Sequence, residues 1–174
     1  MQRAAPYLFF LLVLTGCAGE PDTNDTECVS EAANALQTCI ADYSQAIHAC
    51  YRQSDQSCDA DDDSLQRPLT LLEETVEASC ADNEFGRLSQ SGLADRLQNA
   101  CSSEASSMAW RVYGGPHGSV WSDADEQTKT CLSEAHQQGT HLADISLGLT
   151  NACLNNRACD PEYVETMRAV AEAA

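Results

Sequence analysis

The ten cysteines of this 174-residue chain are the residues with the greatest capacity for chemistry. Thiolates either bind soft metal ions or pair as disulfides, and the two uses require different spacing. Cys28, Cys39 and Cys50 follow each other at intervals of eleven residues, and no C-x-x-C motif occurs. Metal clusters and redox motifs place their thiols three or four residues apart. The spacing therefore favours structural disulfide bonds and predicts no metal site.

An acidic stretch at residues 59–63, Asp-Ala-Asp-Asp-Asp, is a second candidate for cation binding. Its carboxylates occupy the first, third and fifth positions of a calcium loop. Ser64 stands at the sixth position, where such a loop needs Gly, and Thr70 stands at the twelfth, where it needs a bidentate Glu. We therefore expect a solvated loop that caps the next helix, with weak divalent-cation binding as the alternative.

Histidines are the third group with ligand or acid–base chemistry. His136 and His141 are five residues apart, so on a helix they diverge by roughly 140° and cannot hold one ion unless Gly139 breaks the helix. We expect both to face solvent, and we expect the same of His48 on the first predicted helix.

An aromatic and glycine-rich segment at residues 110–121 differs from the rest of the chain. It contains both tryptophans, three glycines and a proline, which together predict a turn between helices. We expect either a loop packed onto the helices or a partner-binding loop formed by Trp110, Tyr113, His117 and Trp121. The sequence contains no G-x-S-x-G, H-E-x-x-H, dinucleotide-binding or P-loop motif, so it predicts no catalytic residues and no cofactor.

A long first helix is predicted over residues 24–53. No Gly or Pro occurs there, and the apolar or small positions advance by steps of three and four residues. These positions are Cys28, Ala32, Ala35, Cys39, Tyr43, Ala46 and Cys50. Cysteines eleven apart on a helix are separated by roughly 16 Å, whereas a disulfide requires Cα atoms within about 7 Å. Each of these cysteines must therefore pair with another segment.

The same periodicity predicts three further helices and a short terminal one. They extend over residues 65–80, from a cap at Asp82 or Asn83 through residue 108, over residues 122–153, and onward from Asp160-Pro161. Gly92 is the position at which the third helix is expected to break. No long strand pattern occurs, so the fold class is predicted to be all-α: a disulfide-stapled bundle of about four longer helices plus a short C-terminal helix.

The first seventeen residues have the pattern of an export signal. Arg3 supplies a positive charge, and residues 4–14 are apolar but too few to cross a bilayer as a helix. The segment ends in Leu14-Thr15-Gly16-Cys17, which resembles the lipobox of bacterial lipoproteins in all four positions. The resemblance implies that residues 1–16 are a signal peptide, that cleavage precedes Cys17, and that the Cys17 sulfur and the new amino terminus are acylated.

The segment after Cys17 contains no apolar run. Residues 17–25 are interpreted as the lipidated cysteine followed by a flexible acidic tether, and residues 26–174 as a single helical domain. Lipoproteins with Asp after the lipidated cysteine tend to stay in the inner membrane. By this analogy, Ala18 favours the outer membrane, on its periplasmic or surface face.

Export would place the remaining nine cysteines in a compartment that forms disulfides. Nine is odd, so at most four intramolecular bridges form and one thiol stays free or pairs with another molecule. The candidates are Cys28, Cys39, Cys50, Cys58, Cys80, Cys101, Cys131, Cys153 and Cys159.

The charge of the chain excludes several classes of partner. The net charge is −18, and Lys129 is the only lysine. Nucleic-acid binding depends on Lys and Arg neutralising phosphates, so no nucleic acid is expected as a partner. Anionic lipid headgroups would also be repelled, so attachment to the membrane would depend on acyl chains on Cys17.

These observations together predict a membrane-anchored, acidic helical lipoprotein of the bacterial cell envelope. We expect a non-enzymatic binding or structural module whose partner is another envelope protein. The alternative is a metal-handling protein or an enzyme with a site near His117, His136 and His141. Bound metal and fewer than four disulfides would favour that alternative.

Overall fold

The computed structural model describes residues 23–80 and 89–156. This part of the chain is helical and contains no strand, which confirms the all-α class. None of its helices is long and apolar enough to cross a membrane. The helices are α1 (Thr23–Ser54), α2 (Asp63–Ser79), α3 (Gln90–Tyr113), α4 (Ser119–Ser122) and α5 (Glu126–Asn156).

The cysteines of α1 connect it covalently to its neighbours. The bonds are Cys28–Cys80, Cys39–Cys101 and Cys50–Cys58. Cys80 directly follows α2, Cys101 lies within α3, and Cys58 lies in the loop before α2. Each cysteine of α1 therefore pairs with another segment, as the length of the helix requires.

The apolar core lies between α1, α2 and α3. Helix α1 contributes large side chains such as Ile40, Ile47 and Tyr51, and α2 contributes Leu72 and Val76. Helix α3 contributes mostly small ones. Its buried residues are Ala94, Cys101, Ala105, Ala109 and Tyr113. Small residues at intervals of about one turn allow α3 to approach α1 closely enough for the Cys39–Cys101 bond.

The beginnings of the helices partly correct the sequence predictions. The acidic loop does cap α2, because Asp62 Oδ1 accepts hydrogen bonds from the backbone N–H and the hydroxyl of Ser64. Helix α3 begins at Gln90 with Ser89 as its cap, not at Asp82 or Asn83, which lie outside the described residues. It continues through Gly92, whose backbone N–H donates to Ser89 Oγ. The low helix propensity of glycine is most costly in the interior of a helix, and Gly92 lies in the first turn, so α3 continues through it.

Helix α5 also begins later than predicted, at Glu126 instead of Ser122. Ser122 ends the short α4, and Asp125 Oδ1 accepts from the Thr128 backbone N–H at the start of α5. Gly139 does not interrupt the helix. The predicted terminal helix from Asp160 lies outside the described residues.

Helix α5 carries no disulfide within the part of the chain that the structure describes. Cys131, one of the nine candidates, is an exposed free thiol there. Cys159 and the side chain of Cys153 lie outside the described residues, so their predicted pairing stays a prediction.

The length of the chain closed by each disulfide predicts its contribution to stability. Replacing Cys39 and Cys101 by alanine opens a 62-residue separation and should lower the free energy of unfolding by about 4 kcal/mol. Replacing Cys50 and Cys58 opens an eight-residue separation and should cost about 2.5 kcal/mol. Urea denaturation without reductant measures both, and Cys131→Ala is the control with little expected change. Equal losses for the two pairs would contradict an origin in chain entropy.

Candidate functional site

The aromatic segment forms a tight turn at the end of α3. Gly114, Gly115 and Gly118 all have positive φ angles, of 91°, 85° and 57°, a region that favours glycine. The backbone N–H groups of Gly114 and Gly115 both donate to the Trp110 carbonyl, which closes the helix. A Cβ atom on Gly118 would collide with Cε1 of the buried Tyr51 ring. The turn therefore packs directly on α1.

The four residues of the predicted partner-binding loop are divided between core and surface. Trp121 is 3 % exposed and Tyr113 is fully buried, and their rings meet edge to face with centroids 5.1 Å apart. Trp110 is 47 % exposed and His117 is exposed. Only Trp110 and His117 are therefore available to contact a partner, while Tyr113 and Trp121 hold the turn against the helices.

Asp55 connects this turn to the end of α1 and the start of α5. The Trp121 indole N–H donates to Asp55 Oδ1 at 2.9 Å, and Lys129 Nζ donates to the same oxygen at 2.6 Å. These two hydrogen bonds, that of Lys129 first, lower the pKa of the Asp55 carboxyl below its usual value. Lys129 Nζ also lies 5.6 Å from the centre of the Trp121 ring.

His48 and His136 are buried, which corrects the expectation that both face solvent. His136 is 2 % exposed, and the two imidazole rings stack with centroids 5.3 Å apart. The two rings are buried because α5 packs against α1 where they lie. Ser44 is hydrogen-bonded to His136 and Tyr113 to His48, and these polar partners offset the cost of burying the imidazoles. His141, by contrast, is exposed as predicted.

A chain of hydroxyl groups satisfies His136. Thr140 Oγ1–H donates to the His136 carbonyl at 3.0 Å, and Ser44 Oγ–H can then donate to Thr140 Oγ1 at 3.0 Å. His136 Nε2–H completes the chain by donating to Ser44 Oγ at 3.1 Å. This direction satisfies all three side chains and assigns the proton of the neutral ring to Nε2.

His48 is satisfied on one side only. His48 Nδ1 and the Tyr113 hydroxyl are joined by a hydrogen bond of 2.6 Å. His48 Nε2 and the Tyr51 hydroxyl are buried without a hydrogen-bond partner among the described residues. A buried polar group without a partner costs about 1–3 kcal/mol, so these side chains are packed against a local penalty.

The buried and half-buried aromatic and polar side chains that contact one another here form one cluster, and burial determines its protonation. Its members are Ser44, His48, Tyr51, Tyr113, His136 and Thr140. Desolvation, followed by the neighbouring His48, lowers the pKa of His136 to about 4. Desolvation, followed by the charge of Arg52, lowers the pKa of His48, and desolvation raises that of Tyr113. At neutral pH both imidazoles and the phenol are therefore uncharged.

A surface cavity of about 440 Å³ lies beside the cluster, between α1 and α5. Arg52, His141 and Asp144 line it together with His48 and His136. Ser44, the one hydroxyl bonded to His136 Nε2, is fully buried and does not line the cavity, so a substrate has no access to it as a nucleophile. Within the described ranges, no three or more His, Cys, Asp and Glu side chains are grouped to hold a metal ion.

Sequence reasoning overlooked Ser44, Tyr51 and Thr140 as members of this cluster. The spacing of these residues is a weak indication that they lie together. Ser44, His48 and Tyr51 are spaced by four and three residues, and His136 and Thr140 by four, so each set shares one helical face. Such faces are common on solvated helices, so spacing alone does not identify burial.

No protein-family model, no curated protein and no solved structure matches this chain. Its function has to be inferred from its own residues.

Truncation of the two tryptophans should separate core packing from surface. Trp121→Ala should lower the free energy of unfolding by about 3–5 kcal/mol, because it removes a buried ring that contacts Tyr51 and Tyr113. Trp110→Ala is the matched control and should cost about 1 kcal/mol or less. Thermal and urea denaturation measure both. A small loss for Trp121→Ala would contradict the packing of this turn.

Proposed function

We propose that this protein is an exported, lipid-anchored helical lipoprotein of the bacterial cell envelope that acts as a non-enzymatic binding or structural module. The observation that carries the proposal is the set of three disulfide bonds on α1, two of which join it to other helices. Disulfides of this kind persist in oxidising, exported compartments and are rare in the cytosol. The Leu14-Thr15-Gly16-Cys17 pattern supports the same compartment and adds the anchor.

The distribution of charge supports binding through protein surfaces. Within the described residues the only ion pair is Lys129–Asp55, so nearly all of the acidic side chains there are unpaired on the surface. Such a surface repels nucleic acid and anionic headgroups. It suits a module that is held near the membrane by acyl chains and meets other proteins through exposed features such as Trp110 and His117.

The alternative of an enzyme or metal-handling protein draws less support from the geometry. His117 lies on the exposed turn, His136 is buried and bonded to Ser44, and His141 is exposed. These three side chains do not form one of the groups that could hold a metal ion, as far as the described residues extend. The Ser44–His136 contact has the atoms of a nucleophile–base pair but no access for a substrate.

The anchor is tested by fatty-acid labelling in a bacterial host. Cys17→Ala should abolish incorporation of a radioactive fatty acid and leave the precursor uncleaved, because the acylated sulfur is lost. Cys131→Ala is the control: it removes the exposed thiol and should keep full label. Label that persists on the Cys17→Ala chain at the level of the unchanged protein would refute the anchor.

Partner binding is tested by site-specific photocrosslinking in intact envelopes. A photoreactive phenylalanine at Trp110 or at His117 should give a discrete adduct with one envelope protein, since Trp110 is exposed in the last turn of α3 and His117 is exposed on the turn that follows. Glu74, exposed on α2, is the matched control position and should give none. Similar adducts from all three positions would indicate random encounters and contradict a binding site on this turn.

A further inference from the structure

Helix α5 is held in the bundle differently from the other long helices. No disulfide attaches it within the described ranges, whereas α1, α2 and α3 are linked through Cys28–Cys80 and Cys39–Cys101. The apolar residues differ in the same way: none of the fully buried ones in the described part of the chain lies on α5, whose Leu132 and Leu147 are only partly buried against the core. Its two buried side chains there, His136 and Asn151, are polar.

Polar contacts between α5 and α1 are spread along the length of α5. Lys129 bonds to Asp55 near one end, and Asn151 bonds to Asn34 near the other. Between them Gln37 Nε2 donates to Asp144 Oδ1 at 2.6 Å. The fourth contact, His136 with Ser44, is the buried one.

We propose that α5 is an acid-released helix, which the neutral histidine cluster docks on a disulfide-stapled α1–α3 body and which protonation of that cluster frees as a unit. The proposal concerns the fold of the domain and does not depend on the lipid anchor. Its basis is that the only fully buried side chains of α5 in the described part of the chain are polar, and that the deeper of them, His136, stacks on a second titratable ring.

No counter-charge is bonded to these rings. From α1 the nearest charged group is Arg52, which disfavours a second positive charge, and from α3 the facing titratable group is the Tyr113 phenol. From α5, His141 and Asp144 line the adjacent cavity, and Asp144 already accepts a hydrogen bond from Gln37. Trp121 of α4 packs on Tyr51 and Tyr113 and carries no charge. A proton on His136 would also face the His48 ring at 5.3 Å.

The direction of the pH effect follows from linkage. A solvated imidazole has a pKa near 6.5, and docking lowers the pKa of His136 to about 4. Between these values the released state binds more protons than the docked state, so the contribution of His136 to docking is complete above pH 6.5 and is lost as the pH falls toward 4. For His136 alone, the ratio of released to docked α5 rises about tenfold per pH unit in this window. His48, whose pKa is also lowered, increases the effect.

Hydrogen exchange of the purified protein, followed by mass spectrometry between pH 7 and pH 4, tests the proposal. After correction for the intrinsic pH dependence of exchange, peptides from residues 126–152 should lose protection by about tenfold per pH unit below pH 6.5. Peptides from residues 28–50 should keep theirs, because the disulfides hold α1 to α2 and α3. Corrected protection of α5 that does not change with pH would overturn the proposal, and so would simultaneous loss of protection in α1.

A variant assigns the effect to the buried ring. His136→Gln keeps a donor for Ser44 but does not titrate, so the pH dependence of α5 exchange should become shallower. His141→Gln, an exposed histidine on the same helix, is the matched control and should retain the full dependence. An unchanged dependence in His136→Gln would overturn the role of His136. If that variant does not fold, the pH dependence of protection in α5 and in α1 of the unchanged protein is sufficient to support or overturn the acid release of α5.

Discussion

The covalent attachment of α1 to its neighbours is the constraint on which the rest of the structure depends. Three disulfides at intervals of eleven residues fix α2, the loop before it and α3 along one side of a 32-residue helix. Once these positions are fixed, the small residues of α3 can pack closely on α1, and the remaining surface of α1 is left for α5. The disulfides also reduce the entropy of the unfolded chain, which adds to the stability that the apolar core supplies.

The part of α1 that faces α5 is chemically different. It carries Asn34, Gln37, Ser44 and His48, and Asp55 follows directly after the helix; each of these contacts a polar residue of α5. Polar pairs contribute less net stability than apolar burial, because folding exchanges hydrogen bonds with water for hydrogen bonds within the protein. The domain thus combines a stapled body with a helix held by weaker and pH-sensitive contacts.

A stapled body also fits the proposed position at a membrane surface. An anchored module would lie outside the cytosol, and disulfides limit the local unfolding of the helices that carry them. The exposed Trp110, in the last turn of α3, and His117, on the turn that follows, lie beside the buried rings of Tyr113 and Trp121. Surface residues supported in this way present one conformation to a partner, which lowers the entropic cost of binding.

The sequence by itself determined the helical class, the extent of α1 and the rule that its cysteines pair outside it, because periodicity and helix rise are local properties. It also determined the cap of α2 by the acidic loop. Only the tertiary structure decided which cysteines pair, that Ser89 begins α3, and that Trp121 is buried while Trp110 is not. The same holds for His48 and His136, which read as solvent-facing from their own helices. They are buried because α5 packs alongside α1. That placement depends on contacts between residues about ninety positions apart, such as Ser44 and His136, and no local pattern encodes such contacts.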